Sequence, residues 1–136
     1  MEQVGQLTDS QMEELHQLYQ NEWWTKGRTL ADVRIAVAHS GVVVAFTDPQ
    51  SGSLAAFCRV ITDFVYKALV LDVIVAAPYR GMGLGRALMD AVVSHPSLRE
   101  VRHLELYCRP ELMEFYHPWG FTEDLGELRF MRSARA

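Results

Sequence analysis

The residues of this chain whose spacing suggests chemistry are glycines, concentrated in one short segment. An apolar run, Leu71 to Val75, leads into Arg80-Gly81-Met82-Gly83-Leu84-Gly85-Arg86. Glycines allow backbone N–H groups to approach an anion closely, and the start of a following helix adds about half a positive charge. Arg80 and Arg86 could add contacts to phosphate. The segment therefore predicts a phosphate or pyrophosphate site.

Three kinds of phosphate-binding segment compete for this pattern. A P-loop requires a lysine and a hydroxyl residue after its last glycine, and neither follows Gly85. A dinucleotide-binding turn requires a further glycine where Arg86 stands, and it places its first glycine close behind the strand. Here five residues separate Val75 from Gly81. The third pattern, R-x-x-G-x-G, is satisfied by Arg80, Gly83 and Gly85.

This third pattern resembles the central motif of the GNAT superfamily, the GCN5-related N-acetyltransferases. A second segment, Phe115 to Phe121 (FYHPWGF), is similar to that family's F-Y-x-x-x-G-F segment and follows after one helix and one strand, as is typical of the family. The resemblance implies that the backbone of Val73, Ile74 and Val75 pairs with the pantetheine arm of acetyl-CoA. It also implies that the pyrophosphate is held by the loop and helix start, namely Arg80, Gly81, Met82, Gly83, Leu84, Gly85 and Arg86.

The glycines have a plainer interpretation as well, since they could serve only a tight turn and close helix–strand packing.

Acetyl transfer itself needs a neutral amine, stabilisation of an oxyanion, and a donor to the leaving thiolate. Tyr116 matches the family tyrosine that serves as this donor; the alternative is a tyrosine packed beneath the sheet. Nothing visible activates Cys108, which favours direct transfer in a ternary complex.

Asp72 is the anomaly of the apolar run, because a buried carboxylate is costly unless it is paired or functional. Alternation places it on one face with Val70 and Ile74. The run L-D-V-I-V resembles GNAT members with E-D-[IV]-x-V, such as glucosamine-phosphate acetyltransferases, although Leu71 replaces the glutamate. Two roles remain open for Asp72. It orients or deprotonates the amine, or it bonds to backbone groups or to an arginine such as Arg59.

The acceptor site is expected beside the first helices and the connection between them, where family members usually border the acceptor. Trp23, Trp24 and Arg28 lie in this connection. Aromatic walls with a few charges suit a small amine, and Arg28 and Arg59 could bind a carboxylate or phosphate on it. The alternative for the two tryptophans is that they pack the helices onto the sheet.

The elements that must position these residues follow from hydrophobic periodicity and turn residues. They predict an α/β (α+β) fold with a mixed, mostly antiparallel central sheet and helices on both faces, as in GNAT proteins, forming one domain over residues 1–136. The expected order is strand Val4–Leu7, helix 9–20, helix Thr29 to His39, strands Val42–Thr47, Leu54–Thr62 and Leu69–Val75, a helix from Leu84 to His95, strand Arg102–Cys108, a short helix from Pro110, and strand Glu127–Met131.

Composition limits the partners. The chain has 13 basic and 17 acidic residues and a formal net charge of −4, so charge gives no argument for nucleic acid or an anionic membrane. The longest nearly apolar run, Ala68 to Ala77, is too short to span a bilayer, and residues 1–7 lack a signal pattern. We therefore expect a cytoplasmic location, with neither nucleic acid nor a membrane as partner.

No metal-ligand set emerges from the sequence. An exposed edge strand at Glu127–Met131 would favour a homodimer.

Taken together, the resemblance and the residues predict an acetyl-CoA-dependent N-acetyltransferase that acts on a primary amine of a small molecule. Two alternatives stay open. One is an acetyltransferase acting on lysines or N-termini of proteins or peptides, and the other is a non-catalytic acyl-CoA-binding regulatory domain. The retained Tyr116 and the intact glycine loop argue against the second alternative.

Overall fold

A computed structural model describes residues 1–135. The chain forms two compact units, Met1–Leu106 and Tyr107–Ala136, which are described separately below. The organisation of residues 1–136 as one domain stays a prediction. Within residues 1–135, no helix is both long and apolar enough to cross a membrane.

The first unit contains a five-stranded sheet in the order β1-β2-β3-β4-β5. Strands β1 to β4 pair antiparallel with their neighbours, whereas β5 runs parallel to β4. The mixed, mostly antiparallel sheet confirms the predicted fold class. The elements are β1 (Glu2–Val4), α1 (Asp9–Gln20), α2 (Leu30–Ala38), β2 (Val42–Thr47), β3 (Leu54–Thr62), β4 (Lys67–Val75), α3 (Leu84–Ser94) and β5 (His103–Glu105).

The helix starts follow directly from local sequence. The Thr8 hydroxyl accepts the Gln11 backbone N–H, and the Gln11 side chain accepts the Thr8 backbone N–H, so a reciprocal capping box opens α1. Thr29 caps α2 with a single bond, in which its hydroxyl accepts the backbone N–H of Asp32. These caps satisfy N–H groups that would otherwise lack partners at a helix start.

Helices cover both faces of the sheet. Helices α1 and α2 share an apolar core with β2, β3 and β4, whereas α3 packs against the same three strands through residues outside that core. The first core comprises Leu15, Tyr19, Val33, Ala45, Leu54, Phe57 and Ile74. The buried residues of α3 are Leu84, Leu88, Met89 and Val92. The hydrophobic periodicity of the helices therefore predicts their buried faces.

Strand β4 is irregular where it carries Asp72. Phe57 of β3 lies opposite Ile74, but Arg59 lies opposite Leu71, so β4 contains one extra residue between these pairs. Asp72 has a φ of 57°, in the left-handed region that L-residues seldom adopt. A bulge bends the strand that contains it, and the pairing of β4 with β5 stops before the bulge, at Leu69.

The second unit, over residues 107–135, has little regular structure. The 3₁₀ turn Pro110–Leu112 leads into the short helix α4 (Met113–Tyr116), which a second 3₁₀ turn, His117–Trp119, extends. Gly120 ends this run with a φ of 85°. The short helix predicted from Pro110 is therefore confirmed.

The predicted final strand, Glu127–Met131, is wrong: no strand forms over these residues. A turn occupies its start, where the Leu125 carbonyl accepts the Leu128 N–H and Gly126 has a φ of 66°. The Arg129 guanidinium then donates to the carbonyls of Gly126 and Leu128. A strand needs a ladder of backbone hydrogen bonds to a neighbouring strand, and no such ladder forms along Glu127–Met131.

Three other strands differ from their predicted bounds, and one of them, β4, begins at Lys67 rather than Leu69. The first strand is Glu2–Val4 rather than Val4–Leu7, because Thr8 caps α1 and Leu7 packs against the core instead. The strand predicted at Arg102–Cys108 is confined to His103–Glu105, since it pairs with β4 only over Lys67–Leu69.

Candidate functional site

Asp72 forms the centre of a buried polar cluster on the sheet face that α1 covers. Its Oδ2 atom accepts hydrogen bonds from Arg59 Nε at 2.7 Å, Arg28 Nη1 at 2.8 Å and the Tyr19 hydroxyl at 2.9 Å. Arg28 Nη2 lies 3.4 Å from Asp72 Oδ1, and the Arg28 guanidinium stands 4.7 Å from the centre of the Tyr19 ring. Three elements therefore converge on one carboxylate: α1, the α1–α2 connection and β3.

The cluster keeps Asp72 ionised. Burial alone would raise the pKa of the carboxyl, but the hydrogen bonds and charges of Arg28 and Arg59 outweigh burial, so its pKa is lowered. Burial and the charge of Asp72 together raise the pKa of Tyr19, which stays protonated and donates. A carboxylate with a lowered pKa is a weak base, so the geometry favours the pairing role for Asp72 over the role of general base.

The hydrogen bond between Asp72 and Arg59 is the pairing expected from neighbouring strands. Val70, Asp72 and Ile74 are all buried, which confirms the predicted face. Tyr19 and Arg28 were not expected as partners of Asp72. Tyr19 lies with Leu15 on the buried face of α1, and a tyrosine on that face opposite a strand carboxylate is the signal that could have identified it.

The edge of β4 next to the bulge is free of strand partners within residues 1–135. Strand β5 pairs with β4 only as far as Leu69, whereas the far end of β4 contains Val73, Ile74 and Val75. Their backbone groups on that side have no strand beside them, as the resemblance requires for the pantetheine arm. The 3₁₀ turn Ala77–Tyr79 connects the end of β4 to the glycine loop.

The loop has the backbone geometry that an anion site needs. Gly81 and Gly83 have φ values of 79° and 78°, and a Cβ atom at either position would meet no other heavy atom within 4 Å. Gly83 is the N-cap of α3 and offers no side chain to it. In the part of the chain that the structure describes, the N–H groups of Leu84, Gly85 and Arg86 have no acceptor. These free donors fit a pyrophosphate.

Arg80 has partners within the chain, and its role as a phosphate ligand stays a prediction. Its Nε donates to the Val75 carbonyl at 3.1 Å, and its Nη2 lies 3.2 Å from Oε1 of Glu22. Arg28, six residues after Glu22 in the α1–α2 connection, binds Asp72. The connection is thereby attached to β4 at one point and to the glycine loop at another. Glu22 was not predicted as a partner of Arg80, because an ion pair between distant segments leaves no pattern in the sequence.

The two tryptophans of the connection lie at the surface. Trp23 is 69% exposed and Trp24 is 40% exposed, so neither belongs to the buried core. Both stand between Glu22 and Arg28 in the sequence. Their exposure is compatible with the predicted aromatic wall and argues against the alternative of helix packing.

Tyr116 lies in the second unit, at the end of α4. Its side chain is buried, and its ring contacts those of Phe115 and Phe121 edge-on, with centroids 4.9 Å and 6.1 Å away. Trp119 contacts Phe115, so the aromatic residues of the FYHPWGF segment form one cluster. The catalytic role of Tyr116 stays a prediction.

Comparison with known proteins assigns this combination of sheet, glycine loop and aromatic segment to a family. The model described as the acetyltransferase (GNAT) family matches residues 7–121. The chain belongs to the GNAT family. A solved structure from Xanthomonas campestris pv. campestris, assigned to the GNAT acetyltransferases, has a TM-score of 0.83 and 32% identity and covers 99% of this chain and 94% of its own. The GNAT fold predicted from the sequence is thus confirmed.

Curated GNAT relatives are longer than this chain. The uncharacterized N-acetyltransferase ycf52 of Porphyra purpurea is 30% identical over 113 residues, which are 82% of this chain and 64% of that protein. A rice protein named serotonin N-acetyltransferase 2, chloroplastic, is 36% identical over 106 residues, 76% of this chain and 53% of that protein. The chain therefore spans about half to two thirds of the length of these relatives.

Proposed function

We propose that this GNAT chain is an acetyl-CoA-dependent N-acetyltransferase that transfers the acetyl group to a primary amine of a small molecule. The observation that carries the proposal is the bulged, unpaired edge of β4, which continues into a loop of positive-φ glycines with free N–H groups. Acetyl-CoA supplies an activated thioester there. Together, the two features fit a long ligand with a pantetheine arm and a pyrophosphate.

Each part of this surface has its own binding task. The backbone of Val73, Ile74 and Val75 pairs with the pantetheine arm, and an N–H beside the bulge holds the acetyl oxygen. The start of α3 and the loop before it hold the pyrophosphate, for which an aligned helix dipole adds favourable charge. Arg86 is free to approach the phosphates, whereas Arg80 must leave Glu22 to do so.

Direct transfer between the two substrates is supported by the state of the cysteines. Burial, reinforced by the charge of Asp72, raises the pKa of Cys58 to about 12, and the thiol is enclosed. Burial and the charge of Glu111 raise the pKa of Cys108. A thiol must ionise to attack an acyl group, and both environments oppose ionisation. We therefore propose a ternary complex rather than an acetylated cysteine.

Proton transfers are assigned to water and to Tyr116. Asp72 is held as an anion by two arginines, so we propose that the proton of the amine leaves through water. The Tyr116 hydroxyl donates to the departing thiolate, as the family motif implies. This assignment separates the carboxylate that organises the site from the phenol that takes part in the reaction.

A small acceptor is supported by the α1–α2 connection. Trp23 and Trp24 present exposed aromatic surface there, and Arg28 follows four residues after Trp24 in the sequence. The rice relative is named for a small amine, serotonin, which agrees with this class of acceptor. That relative is also named chloroplastic. A cytoplasmic location and a homodimer stay predictions for this chain. The edge strand Glu127–Met131, on which the homodimer prediction depended, does not form.

The proposal is tested by following thiol release from acetyl-CoA against a panel of primary amines, amino acids and lysine peptides. We expect release that depends on a small primary amine and saturates with it. Intersecting lines in initial-rate plots would support the ternary complex, and parallel lines would contradict it. Faster acetylation of lysine peptides than of every small amine would replace the small-molecule acceptor with a protein acceptor.

A further inference from the structure

The Arg59 guanidinium has unused binding capacity at a mostly buried position. Only 11% of its side chain is exposed, and its Nε alone binds Asp72. Its two terminal amino groups have no acceptor in the part of the chain that the structure describes. No side-chain nitrogen of the described residues is both fully enclosed and unpartnered, so these amino groups reach accessible space. They form a fork that can receive an oxyanion.

The cluster also carries a net positive charge, which favours the binding of an anion. Asp72 is one carboxylate shared by two guanidinium groups, those of Arg28 and Arg59. The nearby carboxylate of Glu22 is already paired with Arg80. One positive charge therefore remains uncompensated beside a carboxylate that is only 4% exposed. Charges in such surroundings are normally paired, so a further anion is expected from outside the chain.

We propose that Arg59, assisted by Arg28, binds an oxyanion carried by the acceptor, so that the acceptor is an amine bearing a carboxylate or a phosphate. This inference rests on the proposed acetyl transfer and specifies its substrate class. Both anions offer the oxygen pair that a guanidinium fork recognises. Arg28 is the more exposed partner, with 33% of its side chain accessible, and it is placed to guide the anion inward.

The cluster lies close in sequence to the proposed acetyl-CoA edge. Asp72 directly precedes Val73, the first residue of β4 whose backbone is proposed to pair with the pantetheine arm. Amino acids and short aminoalkyl phosphates, in which few bonds separate the anion from the amine, are therefore the first acceptors to test. The excess positive charge also disfavours the ammonium form, which helps to present a neutral amine.

Matched pairs of acceptors test the inference. Each amino acid is compared with its amide, and each aminoalkyl phosphate with the corresponding amino alcohol, by thiol release from acetyl-CoA. We expect kcat/KM to be at least about ten-fold higher for the anionic member, equivalent to about 1.4 kcal/mol. The carboxylate and phosphate pairs show which oxyanion the fork prefers. Equal kcat/KM within every pair would overturn the inference while leaving acetyl transfer intact.

Variants connect the preference to Arg59. Arg59→Lys keeps a cation for Asp72 but removes the fork, and we expect it to fold and to lose most of the preference for the anionic member. Arg59→Gln removes the charge as well and should abolish the preference if it folds. The matched control is Arg34→Gln, since Arg34 is an exposed arginine paired with Asp9 on the surface. An unchanged preference in Arg59→Lys would overturn the role of Arg59.

A binding measurement keeps the inference separate from the proposed activity. Calorimetry without acetyl-CoA compares the wild type with Arg59→Lys for the anionic and neutral members of each pair. Tighter binding of the anionic member by the wild type alone would support the site even if no amine were acetylated. Identical affinities for both members in the wild type would overturn it.

Discussion

Asp72 shows what a single residue can and cannot reveal from sequence. Burying an unpaired carboxylate in an apolar strand costs free energy, so a partner was predicted, and Arg59 on the neighbouring strand was a natural candidate. The contributions of Tyr19 and Arg28, and the left-handed φ of 57°, could not be predicted, because they arise from packing between distant segments and from the bulge. The type of residue indicates that a partner exists, whereas tertiary structure decides which partner.

Replacing Asp72 by Asn should destabilise the fold by about 3 kcal/mol near neutral pH, because the mostly buried guanidinium of Arg59 and the half-buried one of Arg28 lose their anion. Asn tolerates positive φ as well as Asp does, so the variant isolates the charge. Since the pKa of Asp72 is lowered by folding, its stabilisation is present above the ordinary pKa and is lost as the pH falls through the folded pKa. Denaturant unfolding should therefore show a difference between the proteins that shrinks below about pH 4.

A surface carboxylate provides the control for this experiment. Asp9 pairs with Arg34 but its side chain is 95% exposed, so Asp9→Asn should leave the free energy of unfolding almost unchanged at every pH. A pH-independent loss in Asp72→Asn would show that the carboxylate acts through shape rather than charge.

Tyr116→Phe should lower kcat by at least about 100-fold, as expected for the loss of a positioned proton donor. The Kd for acetyl-CoA should stay unchanged, because the phenol is proposed to act on the departing thiolate. Steady-state rates and calorimetry measure the two quantities separately. Tyr66→Phe, at an exposed tyrosine of the first unit, is the control. A kcat equal to that of the wild type would remove Tyr116 from the mechanism.

At the scale of elements, sequence succeeds where local interactions decide. Strands β2 and β3 and helix α1 have the predicted bounds, because alternation, turn residues and a capping box are all encoded nearby. It fails at Glu127–Met131, where alternation predicts a strand but no partner strand pairs with it. The glycine loop was predicted from its motif, although the ion pair that occupies Arg80 depends on the fold.

The loop prediction can be tested with two glycines of equal backbone strain. Gly83 and Gly52 have φ values of 78° and 75°, and both have open space where a Cβ would lie. Replacing either by Ala should therefore destabilise the fold by a similar amount, on the order of 1 kcal/mol. Only Gly83→Ala should weaken acetyl-CoA binding, because Gly52 lies in the turn between β2 and β3. Equal Kd values in both variants, measured by calorimetry, would contradict the loop assignment.

At the scale of the whole molecule, the family match over residues 7–121 includes parts of both compact units. The predicted single domain requires the two units to unfold together. Trp119 reports on the second unit, and Trp23 and Trp24 report on the first. A Trp119→Phe variant and a Trp23→Phe/Trp24→Phe variant should give coincident fluorescence transitions in denaturant. Two separate midpoints would contradict the single domain.

The central claim, acetyl transfer to a small amine, is tested most directly by following the acetyl group itself. Acetyl-CoA carrying an isotopically labelled acetyl group is incubated with the protein and a mixture of small primary amines, and the products are identified by mass spectrometry. The account predicts a labelled amide formed in equal amount to the released thiol. Binding of acetyl-CoA without transfer of the label to any amine would contradict it and would indicate a non-catalytic acyl-CoA-binding domain.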